Sequence, residues 1–573
     1  MSSARPHDES APRETWLQQF SYFAVIFTVL FLLHGSVLRL PYFWDEAGYF
    51  VPAAWDLLRT GDLIPHTTLS NAHPPLVMIW LAAWWKISNY APVVTRFAML
   101  IAASAGLLAL FKLARRVTNP AVAVATVALT ALYPVFFAQS SMAQLDIGVF
   151  AVMTWGLYFY VARRYTWAVV LLGLSCITKE TAVVTPLTLC AWELLSTWLS
   201  RARPDFAQRW CLPPRSAWRS LAHLLALLPL CAWYAYHFHR TGHVFGNPEY
   251  LRYNVAATLT PLRVLVAAFM RLWHVFGYMN MFVLTGLALL ALRLAPLEDF
   301  VAPASPPALL PSAGAPPLSR SDRVGSSPPD FRPPTSDSRT RPRIPLPIQL
   351  LFFLIIAAHV AEFAILGGAV LARYMVPVVG LWILMAVSTL YRRLREWPLW
   401  CMAVAAAFIF ASLFNPPWRI APEDNLAYED FVRLHRSGAA YVQTHYPDQR
   451  ILTAWPASDE LNRPFLGYVA RPLTVVRVEN FTASQIIPAA QHREDFDVVF
   501  AFSTKYDPPR SLANRFAWWN RLQEKYFDYH RDMSPSDIAT ALQGRIAWQQ
   551  QRGGEWVAII ELDKARLAQL RLR

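Results

Sequence analysis

Charge is scarce in this chain. Of its 573 residues only 16% are charged and 55% are hydrophobic, against the roughly 25% charged residues of a soluble globular protein. The shortage excludes a soluble protein of ordinary composition and indicates a polytopic membrane protein. Cysteines number only five, Cys176, Cys190, Cys211, Cys231 and Cys401. They lie in apolar runs or a basic loop without metal-ligand spacing, so no disulfide framework is expected. No small-residue cleavage site follows the first apolar run, Phe20 to Leu40, which reads as a permanent membrane anchor and not as a signal peptide. A Gly-rich phosphate-cradling loop is also absent, which disfavours a nucleotide ligand. Acidic residues are outnumbered, giving a formal charge of +14. The basic residues gather where apolar runs end, as the positive-inside rule requires, so no nucleic acid partner is called for.

Apolar runs that approach or exceed the roughly 20 residues of a membrane-spanning helix predict helices at 20–39, 92–114, 120–138, 144–162, 166–178, 181–199, 219–237, 264–293, 346–366, 369–391 and 397–415. This makes about eleven crossings, with the short run Val77 to Ile87 as an interfacial or re-entrant helix. With residues 1–19 cytoplasmic, the cytoplasmic loops hold Lys112, Arg115 and Arg116; Arg163 and Arg164; Arg201, Arg203, Arg209 and Arg215; and Arg392, Arg393 and Arg395. Every strongly basic short loop then falls on one side. Residues 294–345, rich in Pro, Ser and Arg, read as a disordered cytoplasmic linker inside a 20–415 membrane domain. From 416 to 573 the composition is that of a soluble, extracytoplasmic α/β domain. Strand-like runs stand at 450–455, 473–478, 498–502 and 556–562, with helical patterns at 428–445 and 509–526.

Between the first two apolar stretches lies the polar loop Pro41 to Leu76, part of an outer region, 41–91. Its head carries adjacent acids, Asp45 and Glu46. An amphipathic run follows (Ala47, Phe50, Val51, Ala54, Trp55, Leu58), which Gly61 ends and which can lie in the headgroup layer. Its close is His73-Pro74-Pro75. Ionisable groups at membrane depth are costly, yet under this topology Asp45, Glu46, His73, Arg96, Asp146, Lys179, Glu180, His359, Glu362, Arg373 and Tyr374 all fall at outer helix ends or in the first outer loop. Both charge signs on one face describe a polar cavity opening outward.

Each residue also has a structural reading. Asp45 can cap the amphipathic helix and Glu46 can favour its first turn. Neighbours ~100° apart on a helix do not face one point, so at most one acts as a base. Asp146 suits a helix N-terminus. Lys179 and Glu180 can pair with each other, although a Lys at that position needs an anion. Arg373 can snorkel to the interface.

The segments FWDEAGYF with a distal HPPL, LDIGVFAV, ITKETAVVTP and ARYMVP, in this order and on one side, resemble the GT-C membrane glycosyltransferases of the protein O-mannosyltransferase and lipid A aminoarabinose transferase type. The resemblance covers about residues 20–391. It implies an inverting transfer of one sugar from a polyprenyl-phosphate donor to a hydroxyl acceptor, lipid, glycan or protein, on the outer side of a bacterial inner membrane. By carry-over, Asp45-Glu46 match the catalytic acidic pair, with Asp45 the better base, and Asp146 matches the second acidic position. Lys179 and Arg373, with Tyr374, match the donor-phosphate side. His73, Glu180 and Arg96 are expected in support. The Pro-rich insertion and the 416–573 tail depart from the pattern and leave the acceptor open.

That chemistry also suits the residues themselves. A hydroxyl needs a base, and a departing lipid phosphate needs fixed cations, which Lys179 and Arg373 supply. Asp45, Glu46, Asp146 and His73 can form an oxygen-rich divalent-cation site, but no spacing demands one, and no obligatory metal is expected. The alternative is a transporter or flippase, which predicts charges spread through the bilayer and pseudo-symmetric repeats; a third reading is a non-catalytic envelope scaffold.

Overall fold

The computed structural model describes residues 15–209, 220–246, 248, 252, 254–255, 258–299, 339–506, 508, 515–527 and 529–563. Cys211, Arg215 and most of the 294–345 linker lie outside them. Where that linker is described, Glu298–Asp299 (β1) pairs antiparallel with Arg339–Thr340 (β2).

Among the described residues five helical stretches are long and apolar enough to cross a membrane: Trp16–Leu33 (α1), Pro92–Val117, Glu180–Ala202, Leu346–Ile365 and Ala372–Arg393. Two expected single spans are bent pairs. The 120–138 run is split at Pro134 into Pro120–Leu132 and Pro134–Ser140, with a 72° bend. Proline cannot donate to the turn before it and forces the preceding residue extended, and Tyr133 is extended at ψ 124°. The 264–293 run is likewise two helices, Pro261–Phe276 and Met281–Ala291, bent by 79°. Met279 and Asn280 take left-handed φ values of 47° and 64° between them. Apolar continuity did not report this break, because the run stays apolar on both sides of it despite Arg271 and His274. Leu145–Val161 and Tyr165–Cys176 match two expected spans but have only 17 and 12 residues. The first helix ends at Leu33, earlier than expected, because the His34 ring turns back: Nδ1 lies 2.8 Å from the Leu30 carbonyl and Nε2 2.9 Å from that of Phe137.

Beyond Leu413 a five-stranded sheet has the order β4-β3-β5-β7-β6, where β3 is Ile451–Ala454, β4 Val475–Val478, β5 Val498–Phe502, β6 Gly544–Arg552 and β7 Glu555–Leu562. The first three strands are parallel and the last two antiparallel. Central β5, VVFAF, is buried throughout, as a strand covered on both faces must be. Strand β6 had no alternating signature, since much of its length is exposed.

This sheet unit is not a separate globule. One hydrophobic core runs from α1 through the bundle into the sheet. The seam is aromatic: Phe43 meets Phe431 edge-on at 5.2 Å and Trp44 meets Trp455 at 4.9 Å. At Gly48 a Cβ would lie 2.7 Å from the Trp455 ring, so only glycine permits this approach. Trp55, expected to face lipid, instead stacks on Phe465 at 5.6 Å. The amphipathic run itself is a π-turn, Glu46–Phe50, leading into Val51–Thr60, and Gly61 closes it with φ 75°.

Candidate active site at the outer cavity

A cavity of about 1430 Å³ lies between the bundle and the sheet unit. Asp45, Asp146, His73, Lys179, Glu180, Glu362, Arg373 and Tyr374 from the bundle line it, and Glu423, Asp424, Arg419, Lys505, Tyr529 and His530 from the C-terminal side complete it. Ionisable residues expected at the outer ends of several separate helices therefore converge on one cavity.

Arg373 is the hub. It sits in a 3-10 turn, Ala372–Met375, that opens the long helix Val376–Arg393. Its Nη2 donates to Asp45 Oδ2 and its Nη1 to Glu423 Oε2 at 2.7 Å. Nε stands 3.7 Å from Asp146 Oδ2. Lys179 Nζ donates to Asp146 Oδ1 at 2.7 Å and lies 4.2 Å from the Tyr374 ring centroid. The anion that Lys179 required is thus Asp146, and Arg373 is paired inward and does not snorkel.

The adjacent acids part company. Glu46 is fully buried, with Oε1 accepting from Arg96 Nη1 and from the Ala143 amide at 2.6 Å, and Oε2 from the Phe43 amide at 3.0 Å. Arg96, 1% exposed, also donates to the Pro41 carbonyl at 3.1 Å. Glu46 does not line the cavity, so the structure places it as the anchor of the loop and not among the groups that can reach a substrate. Asp45 faces the other way and makes no capping bond, so the N-cap reading does not hold. The helical offset between successive residues accounts for the split.

His73 and Glu180 pair with each other, Nδ1 to Oε2 at 3.1 Å; Glu180 is not Lys179's partner. His359 is buried against the Ile355 carbonyl, its Nδ1 3.0 Å away, outside the cavity lining. Glu362 lines the cavity with a buried Oε2 that has no hydrogen-bond partner. The four residues weighed for a divalent cation do not converge: Glu46 binds Arg96, His73 binds Glu180, and Asp45 and Asp146 share Arg373.

The sequence reading missed Arg271, Tyr278, Glu423 and Asp424. Arg271 donates to the carbonyls of Leu371 at 2.6 Å and Ala369 at 3.2 Å, and so holds the segment before Arg373. Tyr278, placed by the 79° bend, donates to Asp424 Oδ2 at 2.7 Å. Burial pushes Glu423 up to about 8 against the pull of Arg373. Burial likewise pushes Asp424 up to about 6 against the Tyr278 hydrogen bond. The available signal was Pro422-Glu423-Asp424, acids placed just after the last apolar helix and so at the same outer level.

Residues 72–212 match the model of the family described as Dolichyl-phosphate-mannose-protein mannosyltransferase. The chain's structure is similar to that of ArnT from Cupriavidus metallidurans bound to undecaprenyl phosphate, with 14% identity, 95% of this chain and 98% of that chain covered, and a TM-score of 0.52. For the same protein in the apo state the identity is 14%, the coverage 94% and 98%, and the TM-score 0.51. No curated protein sequence matches the chain. The chain has the fold of ArnT, and its residues 72–212 resemble the protein mannosyltransferase family.

Proposed function

We propose that this protein is an inverting glycosyltransferase that moves a sugar from a polyprenyl-phosphate donor to a hydroxyl acceptor on the outer face of a bacterial inner membrane, within an eleven-crossing topology. The observation that carries the reading is Arg373 bound at once to Asp45 and Glu423 and adjacent to Asp146, with Lys179 beside them, on the wall of a cavity wide enough for a lipid headgroup and an acceptor.

Asp45 is the general base. Its side chain is 19% exposed, the most accessible of the carboxylates around Arg373, and a base must reach the acceptor hydroxyl. Arg373 and Lys179 stabilise the charge that grows on the departing phosphate, Arg373 through its fork of N–H donors and Lys179 as a point charge. Phosphate drawn to Arg373 takes over part of the guanidinium that Asp45 holds, leaving Asp45 free to accept the hydroxyl proton. Asp146 keeps Lys179 in place, and Tyr374 supports the ammonium with its ring face. Glu46 and Arg96 hold the loop that carries Asp45, and His73 with Glu180 shape the adjoining wall. A transporter path would spread ionisable groups through the bilayer; here those lining the cavity gather at the expected outer ends of their helices. Mass spectrometry of glycolipids and envelope glycans from cells with and without the gene tests the reading. Loss of one sugar from one glycoconjugate is expected, and identical profiles refute it.

A further inference from the structure

Glu423, Asp424 and Asn425 follow the last long apolar helix and belong by sequence to the C-terminal unit, yet each is only 1–3% exposed. Each is keyed into the bundle or its edge. Gln139 Nε2 donates to the Glu423 carbonyl at 2.9 Å, Tyr278 holds Asp424, and Asn425 Nδ2 donates to the Ala411 carbonyl at 3.2 Å. Glu423 is the one of the three that touches the hub: Oε2 accepts from Arg373 Nη1 at 2.7 Å, while buried Oε1 has no hydrogen-bond partner. Arg373 therefore carries Glu423 and Asp45 on its two terminal nitrogens, with Asp146 beside Nε. A phosphate arriving there meets a guanidinium whose two terminal nitrogens already hold carboxylates, while Nε has no hydrogen-bond partner.

We propose that Glu423 is a positioning residue of the transfer site, holding Arg373 against Asp45 and releasing it to the donor phosphate by taking up a proton. The proton comes from the buffer acid in bulk solvent, which leaves as its conjugate base, and forms the neutral carboxylic acid, while Nη1 passes from the Glu423 carboxylate to a phosphate oxygen. This rests on the donor-phosphate reading above. The charged and titratable groups facing Glu423 are Arg373 from the 372–375 turn, Asp45 from the first outer loop, Asp146 from the Leu145–Val161 helix and Asp424 on its own segment. Tyr278 and Arg271 lie behind Asp424. Burial holds Glu423 at about 8, so neutral and ionised forms are both available near neutral pH. The sign follows: a carboxyl raised above its usual range is protonated below about 8 and loses that proton as pH rises through it. Phosphate affinity should therefore be retained below this pH and lost above it.

The test is binding of undecaprenyl phosphate to the purified full-length protein in detergent, followed by tryptophan fluorescence from pH 6.5 to 9.5. Wild type should bind with little change up to about pH 8 and weaken by up to tenfold per pH unit above it, the limit for one linked proton. Glu423→Gln should bind without that alkaline loss. Calorimetry of wild type at pH 8 in two buffers of different ionisation enthalpy should show uptake of about half a proton per lipid, since a group half protonated when free becomes fully protonated when bound. That measurement decides the matter even where the variant fails to fold. Binding with an unchanged alkaline slope in Glu423→Gln, or with no proton uptake by wild type, overturns the role of Glu423 and leaves the donor reading intact. No binding of the lipid by wild type at any pH overturns the donor reading and this inference together.

Discussion

Two adjacent carboxylates should give opposite phenotypes when made neutral. In Asp45→Asn the lost group is 19% exposed, and its partner Arg373 keeps Glu423 at 2.7 Å and Asp146 at 3.7 Å. The structural cost should be about 1 kcal/mol or less, as for a partly exposed ion pair. Sugar transfer should nonetheless fall by about 10²–10⁴-fold, the share a positioned general base supplies. Glu46→Gln removes a carboxylate that is 0% exposed from an arginine that is 1% exposed, with no second carboxylate bonded to Arg96 among the described residues. Leaving a buried guanidinium without its counter-charge costs about 3–5 kcal/mol. The assay pairs a thermal melt of each detergent-purified variant with release of polyprenyl phosphate from the sugar-loaded donor. Asp45→Asn should melt close to wild type and be inactive, and Glu46→Gln should melt well below wild type. Full activity in Asp45→Asn, or an unshifted melt in Glu46→Gln, would refute the division of labour.

Lys179→Ala should weaken use of the donor more than of the acceptor, measured as separate KM values, because the proposed transfer puts the donor phosphate beside the ammonium; equal losses for both would remove that role. Gly48→Ala should destabilise by about 1–3 kcal/mol, as overpacking does, because the new Cβ meets the Trp455 ring at 2.7 Å; an unchanged melting temperature would show that the seam yields freely. For sidedness, Leu69 is 68% exposed in the loop proposed to face outward. In a cysteine-free background Leu69→Cys should react with a membrane-impermeant maleimide in intact cells and Arg395→Cys only after permeabilisation, and the reverse pattern would invert the topology.

Much of this protein was legible from local signals. Long apolar runs cannot be anything but lipid- or core-facing helices, and Leu346–Ile365 lies within one residue of the expected span at each end. Continuous or alternating hydrophobics marked β3, β4, β5 and β7 for the same reason. The outer-end clustering of Asp45, Asp146, Lys179 and Arg373 followed from helix length and charge bias, which are one-dimensional quantities. Bends such as that at Gly277 to Asn280 are invisible to apolar continuity, because the run stays apolar on both sides of the bend. Pairings across 50 residues or more cannot be read from composition: whether Lys179 meets Glu180 or Asp146, and whether Glu46 faces substrate or Arg96, depends on how helices rotate against one another. The sequence by itself placed the acids and cations at one set of helix ends. Only the tertiary structure decided which of them touch, because low-dielectric burial demands a specific partner for each charge, and packing alone selects it. For Arg373 that partner includes Glu423, contributed by the unit that the sequence set apart.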